Sequence, residues 1–215
     1  MASLSKLLTA LVATSTISGS AKITITADDR RETDGTPGSI TRTDTFSATD
    51  LYYPLLMESN NSVAYAFART VGTTTFMNAL NAKAQSLGMH WTFMDDPSGI
   101  SPKNTSSASD LFKLTQYIYE NQPYFLALSA LPKETIKAQS GRAYAIPNFN
   151  HFAGNPEFVG GKSGYTDEAH ETMTSVFNVP TSQGTTTIAI IVLNAKDRKA
   201  DVEKLLAWFK SAAAE

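Results

Sequence analysis

The spacing of the apolar residues changes once along the chain, near residue 141, and that change narrows the folds open to it. Upstream, Val63, Ala64, Phe67 and Ala68, then Thr75 to Leu87 closed by Gly88, then Leu111, Leu114, Ile118 and Tyr119 recur at helical spacing. Ser47-Ala48-Thr49-Asp50 ahead of Leu51, Tyr52, Leu55 and Leu56, and Ser107-Ala108-Ser109-Asp110, carry helix-start chemistry, the first helix stopping near Glu58. Downstream, Phe158-Val159, Thr172 to Val179 and Thr185 to Leu193 read as strands, the last two joined through Pro180 to Gly184 as a hairpin. Asp197 to Ala213 closes the chain as an amphipathic helix that turns Val202, Leu205, Leu206 and Phe209 inward. With an opening helix and a short strand at Lys22 to Thr26, the expectation is an α/β (α+β) fold: an antiparallel sheet flanked by helices. Residues 1–27 and 141–215 build the sheet-containing lobe of one domain spanning 1–215, and a mostly helical lobe, about 28–140, is inserted between them.

The segments between these elements are polar. Asp28 to Ile40, with Gly35, Pro37 and Gly38, reads as an exposed loop, and Asp28, Asp29 and Asp34 form a solvated turn that does not fit a calcium loop. Trp91 to Asn104, with Pro97, Gly99 and Pro102, reads as an ordered loop. His90, His151 and His170 lack ligand spacing, so no metal or other cofactor is expected, and Phe149, Phe152 and Phe158 are read as core or groove wall. A net charge of −2 offers no basic field for nucleic acid or an anionic membrane, and the absence of cysteine rules out disulfides and thiolate metal sites.

Chemistry enters at Ala2-Ser3-Leu4-Ser5-Lys6. Side chains three apart on a helix are neighbours, so the Lys6 amine reaches the Ser3 hydroxyl; a serine becomes a useful nucleophile when an adjacent base takes its proton. The same residues also fit a helix cap beside a solvated lysine. Lys6, the run Leu7 to Val12 and Ser18-Gly19-Ser20-Ala21 fit a short secretory leader with a small-residue cleavage site as well. Two further clusters bear on the choice. Ser59-Asn60-Asn61 is a polar turn between helices, and Gly160-Gly161-Lys162-Ser163-Gly164-Tyr165-Thr166-Asp167, at the end of a strand, offers a cation, a hydroxyl and open backbone to a carboxylate.

Ser-x-x-Lys, Ser-x-Asn and Lys-Thr-Gly, in that order, form the signature of penicillin-binding proteins and class A β-lactamases. With Ala2 to Leu11, Phe93 to Leu111 (including Pro97-Ser98-Gly99-Ile100-Ser101-Pro102-Lys103-Asn104), Gly160 to Ala169 and Leu205-Leu206-Ala207-Trp208, the chain resembles the low-molecular-weight D-alanyl-D-alanine carboxypeptidases, the penicillin-binding serine peptidases of family S11. The resemblance implies a serine β-lactamase/DD-peptidase-like fold and removal of the terminal D-alanine from peptidoglycan stem peptides through an acyl-enzyme on Ser3. Lys6 is then the base, Ser59 relays a proton to the leaving amine, Asn61 holds the substrate amide, and Lys162 with Ser163 binds the terminal carboxylate. The backbone N–H groups of Ser3 and Tyr165, with Gly164 between Ser163 and Tyr165, form an oxyanion hole in which each donor is worth about 3–4 kcal/mol.

Partners implied are a pentapeptide substrate and β-lactams as covalent inhibitors, and the implied place of work is the bacterial cell envelope. Ser163 replaces the commoner threonine, and Asn60 stands where a small residue is usual. No glutamate is evident as a deacylating base, so penicillin hydrolysis should be slow. A β-lactamase or related serine esterase, and a non-catalytic peptidoglycan-binding remnant, are the competing readings. Finally, Ile188-Ala189-Ile190-Ile191-Val192-Leu193 is an unbroken apolar run, the pattern of a strand covered on both faces, with one hairpin neighbour. The strands that precede the nucleophile helix in the family are not found ahead of Ser3, so the expectation is an open hydrophobic sheet edge through which the chain self-associates.

Overall fold

The computed structural model describes residues 1–31 and 38–213, so Asp34, Gly35 and Pro37 of the expected loop lie outside the described residues. A 3₁₀ turn, Ala2–Leu4, runs directly into α1 (Ser5–Thr16). There follow β1 (Lys22–Ile25), α2 (Ala27–Arg31), β2 (Asp44–Ser47), α3 (Ala48–Leu56), α4 (Asn61–Val71), α5 (Thr73–Ser86), α6 (Ala108–Asn121) and α7 (Pro123–Ala130). The second part holds β3 (Lys133–Lys137), β4 (Ala143–Pro147), β5 (Phe158–Thr166), β6 (His170–Thr181), β7 (Gly184–Ala195) and α8 (Arg198–Ala212). All strand pairs are antiparallel: β1 with β2, β3 with β4, and a sheet in the order β5-β6-β7.

The helix starts obey local rules. Ser47 and Ser107 accept the amides of Asp50 and Asp110 at 3.1 Å each, and Asp197 accepts that of Ala200 at 2.9 Å. Each such cap supplies a partner to an otherwise orphaned N–H and is worth about 1 kcal/mol. Residues 5–13 of α1 are buried in succession, so the helix is enclosed on all sides and the hydrophobic run that also fits a leader serves as core. Leu7, Leu8 and Leu11 pack there with Leu51 and Leu55 of α3, Val63 and Phe67 of α4, Phe76 of α5 and Phe125 of α7. Burying each leucine contributes about 1.5–3 kcal/mol, which fixes α1 as the post carrying Ser3 at its head. A second cluster, Phe158, Met173, Phe177, Ile190 and Val192 under Val202 and Leu206 of α8, backs the three-stranded sheet.

Several expectations are corrected. The segment after Thr26 is not all loop: α2 forms there, and Asp29 is buried, accepting from the Thr26 amide at 2.8 Å and from Arg69 at 2.9 Å. Short strands β2 and β3 interrupt the helical lobe. The Lys162 motif lies inside β5, which continues to Thr166, and the β6–β7 hairpin is tighter than expected, turning at residues 182–183. Leu205 is 44% exposed on the outer face of α8, with Trp208 beside it. Residues Ile188, Ala189, Ile191 and Leu193 are half-buried rather than enclosed, while among the described residues β7 has β6 as its one strand neighbour.

Candidate active site

Three separated stretches meet at one cleft: Ser3 at the head of α1, Ser59 and Asn60 between α3 and α4 with Asn61 opening α4, and Ser163, Gly164 and Tyr165 on β5, an edge strand among the described residues. Phe149, 48% exposed, and Arg198 at the start of α8 complete the lining with Gly38 and Glu58. Phe152 and Phe158, by contrast, pack edge-on and tilted against Phe177 in the core.

The first wall is rigid. Lys6 Nζ donates to Ser3 Oγ at 2.8 Å and to the Ser98 carbonyl at 2.5 Å, and one turn further Thr9 Oγ1 donates to the Pro97 carbonyl at 2.6 Å. The loop that offers those carbonyls is tied by Asp96, whose carboxylate accepts from the amides of Ser98, Gly99 and Ser101 at 2.6–2.8 Å and from Asn104 Nδ2 at 2.7 Å. Burial pushes the Asp96 carboxyl up, but the hydrogen bonds from Ser98, Ser101 and Gly99 outweigh it and hold the group below the usual carboxylate range.

The opposite wall is not self-satisfied. Ser59 Oγ and Asn61 Oδ1 are buried without a hydrogen-bond partner, and Ser59 is held at φ +62°, a left-handed conformation that a serine rarely adopts. Buried polar atoms left open in a cleft, on a strained backbone, are the features of a site awaiting a ligand.

On β5 the expected carboxylate-binding pair divides. Ser163 lines the cleft, whereas Lys162 is 1% exposed, pairs opposite Thr174, and donates from Nζ to the Ser163 carbonyl at 2.7 Å. Burial, reinforced by the charges of Lys6 and then Arg198, holds the Lys162 ammonium well below its usual range. The cation that does line the cleft is Arg198, whose Nη1 donates to the Gly164 carbonyl at 2.8 Å and whose Nε lacks a partner. Gly164 is glycine because of a close approach: a Cβ there would stand 2.8 Å from the Ser3 amide nitrogen and block it.

Sequence reading passed over Asp96, Glu58 and Arg198. Asp96 had a signal, since Asp-Pro-Ser-Gly is turn chemistry in which the carboxylate binds following amides. Arg198 had none, because its placement depends on α8 folding back toward β5.

The chain matches the D-alanyl-D-alanine carboxypeptidase family over residues 1–197. It is 33% identical over 174 residues to a D-alanyl-D-alanine endopeptidase of Haemophilus influenzae, covering 79% of this chain and 59% of that protein. Among solved structures, a D-alanyl-D-alanine carboxypeptidase from Mycobacterium tuberculosis superposes with a TM-score of 0.81 at 26% identity, covering 96% of this chain and 80% of that one. Penicillin-binding protein D2 from Listeria monocytogenes, in its ampicillin-bound form, gives 0.80 at 28% identity over 96% of this chain and 85% of that one.

Proposed function

The chain belongs to the D-alanyl-D-alanine carboxypeptidase family, and from that premise we propose that it is a penicillin-binding serine peptidase that removes the terminal D-alanine from peptidoglycan stem peptides. The observation that carries this reading is the 2.8 Å contact between Lys6 Nζ and Ser3 Oγ, in a cleft that Ser59, Asn61 and the edge of β5 share. The amine that touches Ser3 is Lys6, and it lies in the same dry region as Lys162, whose own ammonium is held well below its usual range by burial and then by the Lys6 charge. Ser3 Oγ attacks the carbonyl between the two D-alanines, its proton passes to Lys6, and the resulting oxyanion lies on the Ser3 and Tyr165 amides. The C–N bond then breaks as Ser59 passes its hydroxyl proton to the leaving amine and takes the Lys6 proton in its place, and water, giving one proton back to Ser3 Oγ, hydrolyses the ester and releases the shortened peptide as its carboxylic acid. Asn61 takes the substrate amide. Ser163 and Arg198 receive the terminal carboxylate at the cleft surface, and Lys162, buried beneath the strand, steadies Ser163 by donating to its carbonyl.

The convergence of all three motifs favours this reading over a non-catalytic remnant. Glu58 is the carboxylate among the described residues that line the cleft, but both of its oxygens are taken up by Ser39 and Asn60, which supports slow turnover of a penicilloyl ester and disfavours a β-lactamase. The name of the Haemophilus influenzae relative favours a second reading, in which the same chemistry cuts D-alanyl cross-links. Both substrates place the enzyme in the cell envelope; no helix among the described residues is long and apolar enough to cross a membrane. The free edge of β7 supports self-association by strand addition, which sedimentation over a dilution series tests.

The deciding experiment is labelling with a fluorescent penicillin followed by peptide mapping, together with D-alanine release from a pentapeptide and from a cross-linked dimer. The expected adduct is on Ser3, and an adduct on Ser5 or Ser59, or a folded protein left unlabelled, overturns the reading.

A further inference from the structure

Ser59 presents a problem of support. Its hydroxyl and the Asn61 carbonyl oxygen have no partner, and its backbone is left-handed at φ +62°, so its own hydrogen bonds do not hold it where it stands. The residue between them, Asn60, is turned into the protein and is 4% exposed. Its amide donates to the Pro54 carbonyl at 2.9 Å, its Oδ1 caps α4 by accepting from the Val63 amide at 3.2 Å, and its Nδ2 donates to Glu58 Oε1 at 2.8 Å. Glu58, likewise 4% exposed, completes the arrangement. Its carboxylate accepts the Ser39 amide at 3.0 Å on each oxygen and the Ser39 hydroxyl on Oε2, pinning the Gly38-Ser39 segment against the turn. A side chain at position 38 would collide with Asn60 Nδ2 and Cγ and with Glu58 Oε1, so the glycine there permits a close approach.

Resting on the function proposed above, we propose that Glu58 is a positioning residue: its carboxylate clamps Gly38-Ser39 onto Asn60 and thereby holds the Ser59 hydroxyl in the cleft toward Ser3. Glu58 is not itself a catalytic group, because both oxygens are committed to this clamp. Removing it leaves the half-buried Ser39 amide and the buried Asn60 Nδ2 without acceptors and frees the turn to relax from its left-handed geometry. A shift of about 1 Å at such a group can cost on the order of 100-fold in rate.

The test is the rate of acylation by fluorescent penicillin in wild type, Glu58→Ala, Glu58→Gln and Gly38→Ala, normalised to the final amount of label. Melting curves are taken in parallel. Gly38→Ala opens the clamp while leaving the carboxylate in place, and Glu58→Gln keeps acceptor capacity but presents an amide to the Ser39 donors. The expected result is a drop of about 10- to 100-fold per labelled site for Glu58→Ala and Gly38→Ala, with Glu58→Gln intermediate. The double variant should be no slower than the worse single, since both act on one contact. A purely structural role lowers the final amount of label and the melting temperature but leaves the rate per labelled site within about twofold, and that result overturns the proposal. Wild type unlabelled on Ser3 overturns the functional reading and the clamp with it, whereas wild type labelled and both variants equally fast overturns the clamp alone.

Discussion

The two walls of the cleft are built on opposite plans. On the Lys6 side the amine that meets Ser3 and the loop behind it are tied back by the protein: Lys6 to Ser98, Thr9 to Pro97, and the loop beneath them to Asp96. On the Ser59 side the Ser59 hydroxyl and the Asn61 oxygen are open, and order is imposed from behind by Asn60 and Glu58. The contrast follows from what each wall does in the proposed reaction. A base must meet its nucleophile before any substrate arrives, so satisfying it in advance costs nothing later. Groups that hold a substrate amide and protonate a leaving group must be free to bond to it, and an internal partner would compete with the ligand.

The sharpest way to break the comparison is Lys6→Ala. It should lower acylation of Ser3 by about 10²–10⁴-fold, the range of general-base catalysis, with the fold intact by circular dichroism. A loss within tenfold in stopped-flow labelling would move the base elsewhere. Next comes Asp96→Ala, which strips acceptors from at least three buried amides. A loss on the order of 3 kcal/mol should lower the melting temperature by roughly 6–12 °C and slow acylation as well, since the Ser98 carbonyl loses its support. Asn61→Ala makes the opposite case. With no internal partner to lose, it should leave the melting temperature within about 1 °C and weaken peptide binding by about tenfold, read as KM in D-alanine release. A large thermal shift there would show that Asn61 is structural.

The smallest effect is acidic. The Asp96 carboxyl is held below its unfolded value, so its contribution to stability is complete above about pH 4 and declines as pH falls through the lower folded value. Thermal melts of wild type between about pH 4 and 2 should therefore fall more steeply than those of Asp96→Ala. Parallel slopes for the two proteins count against the role given to this carboxylate.

What could be read from the sequence divides along similar lines. Ser3 with Lys6, and the caps at Ser47, Ser107 and Asp197, lie within four residues of what they touch, so spacing brings each pair within reach, although for Ser3 and Lys6 it took the two later motifs to favour that pairing over a cap or a leader. Asp29 looked like a solvated turn because its partner, Arg69, is 40 residues away and nothing near Asp29 announces it. The burial of Lys162 and the place of Arg198 beside the cleft were hidden for a related reason. Strand alternation indicates which face a residue takes, yet here both faces of β5 are mostly covered, and the cation that reaches the cleft comes from α8. Leu205 fits the helical stripe but lies beyond the sheet's reach, so periodicity placed it inward without a surface to meet it.

The docking of the first turn on the last sheet has a consequence for the order in which the molecule assembles. Thr172 Oγ1 donates to the Met1 carbonyl across 171 positions of sequence, and Lys6 meets Ser98 across 92. Closing loops of that length is slow compared with forming the helices, whose contacts are local. Helicity on refolding should therefore return well before the cleft exists, and the ability to take up penicillin, more than any spectroscopic signal of helix, marks the moment at which the chain has finished folding.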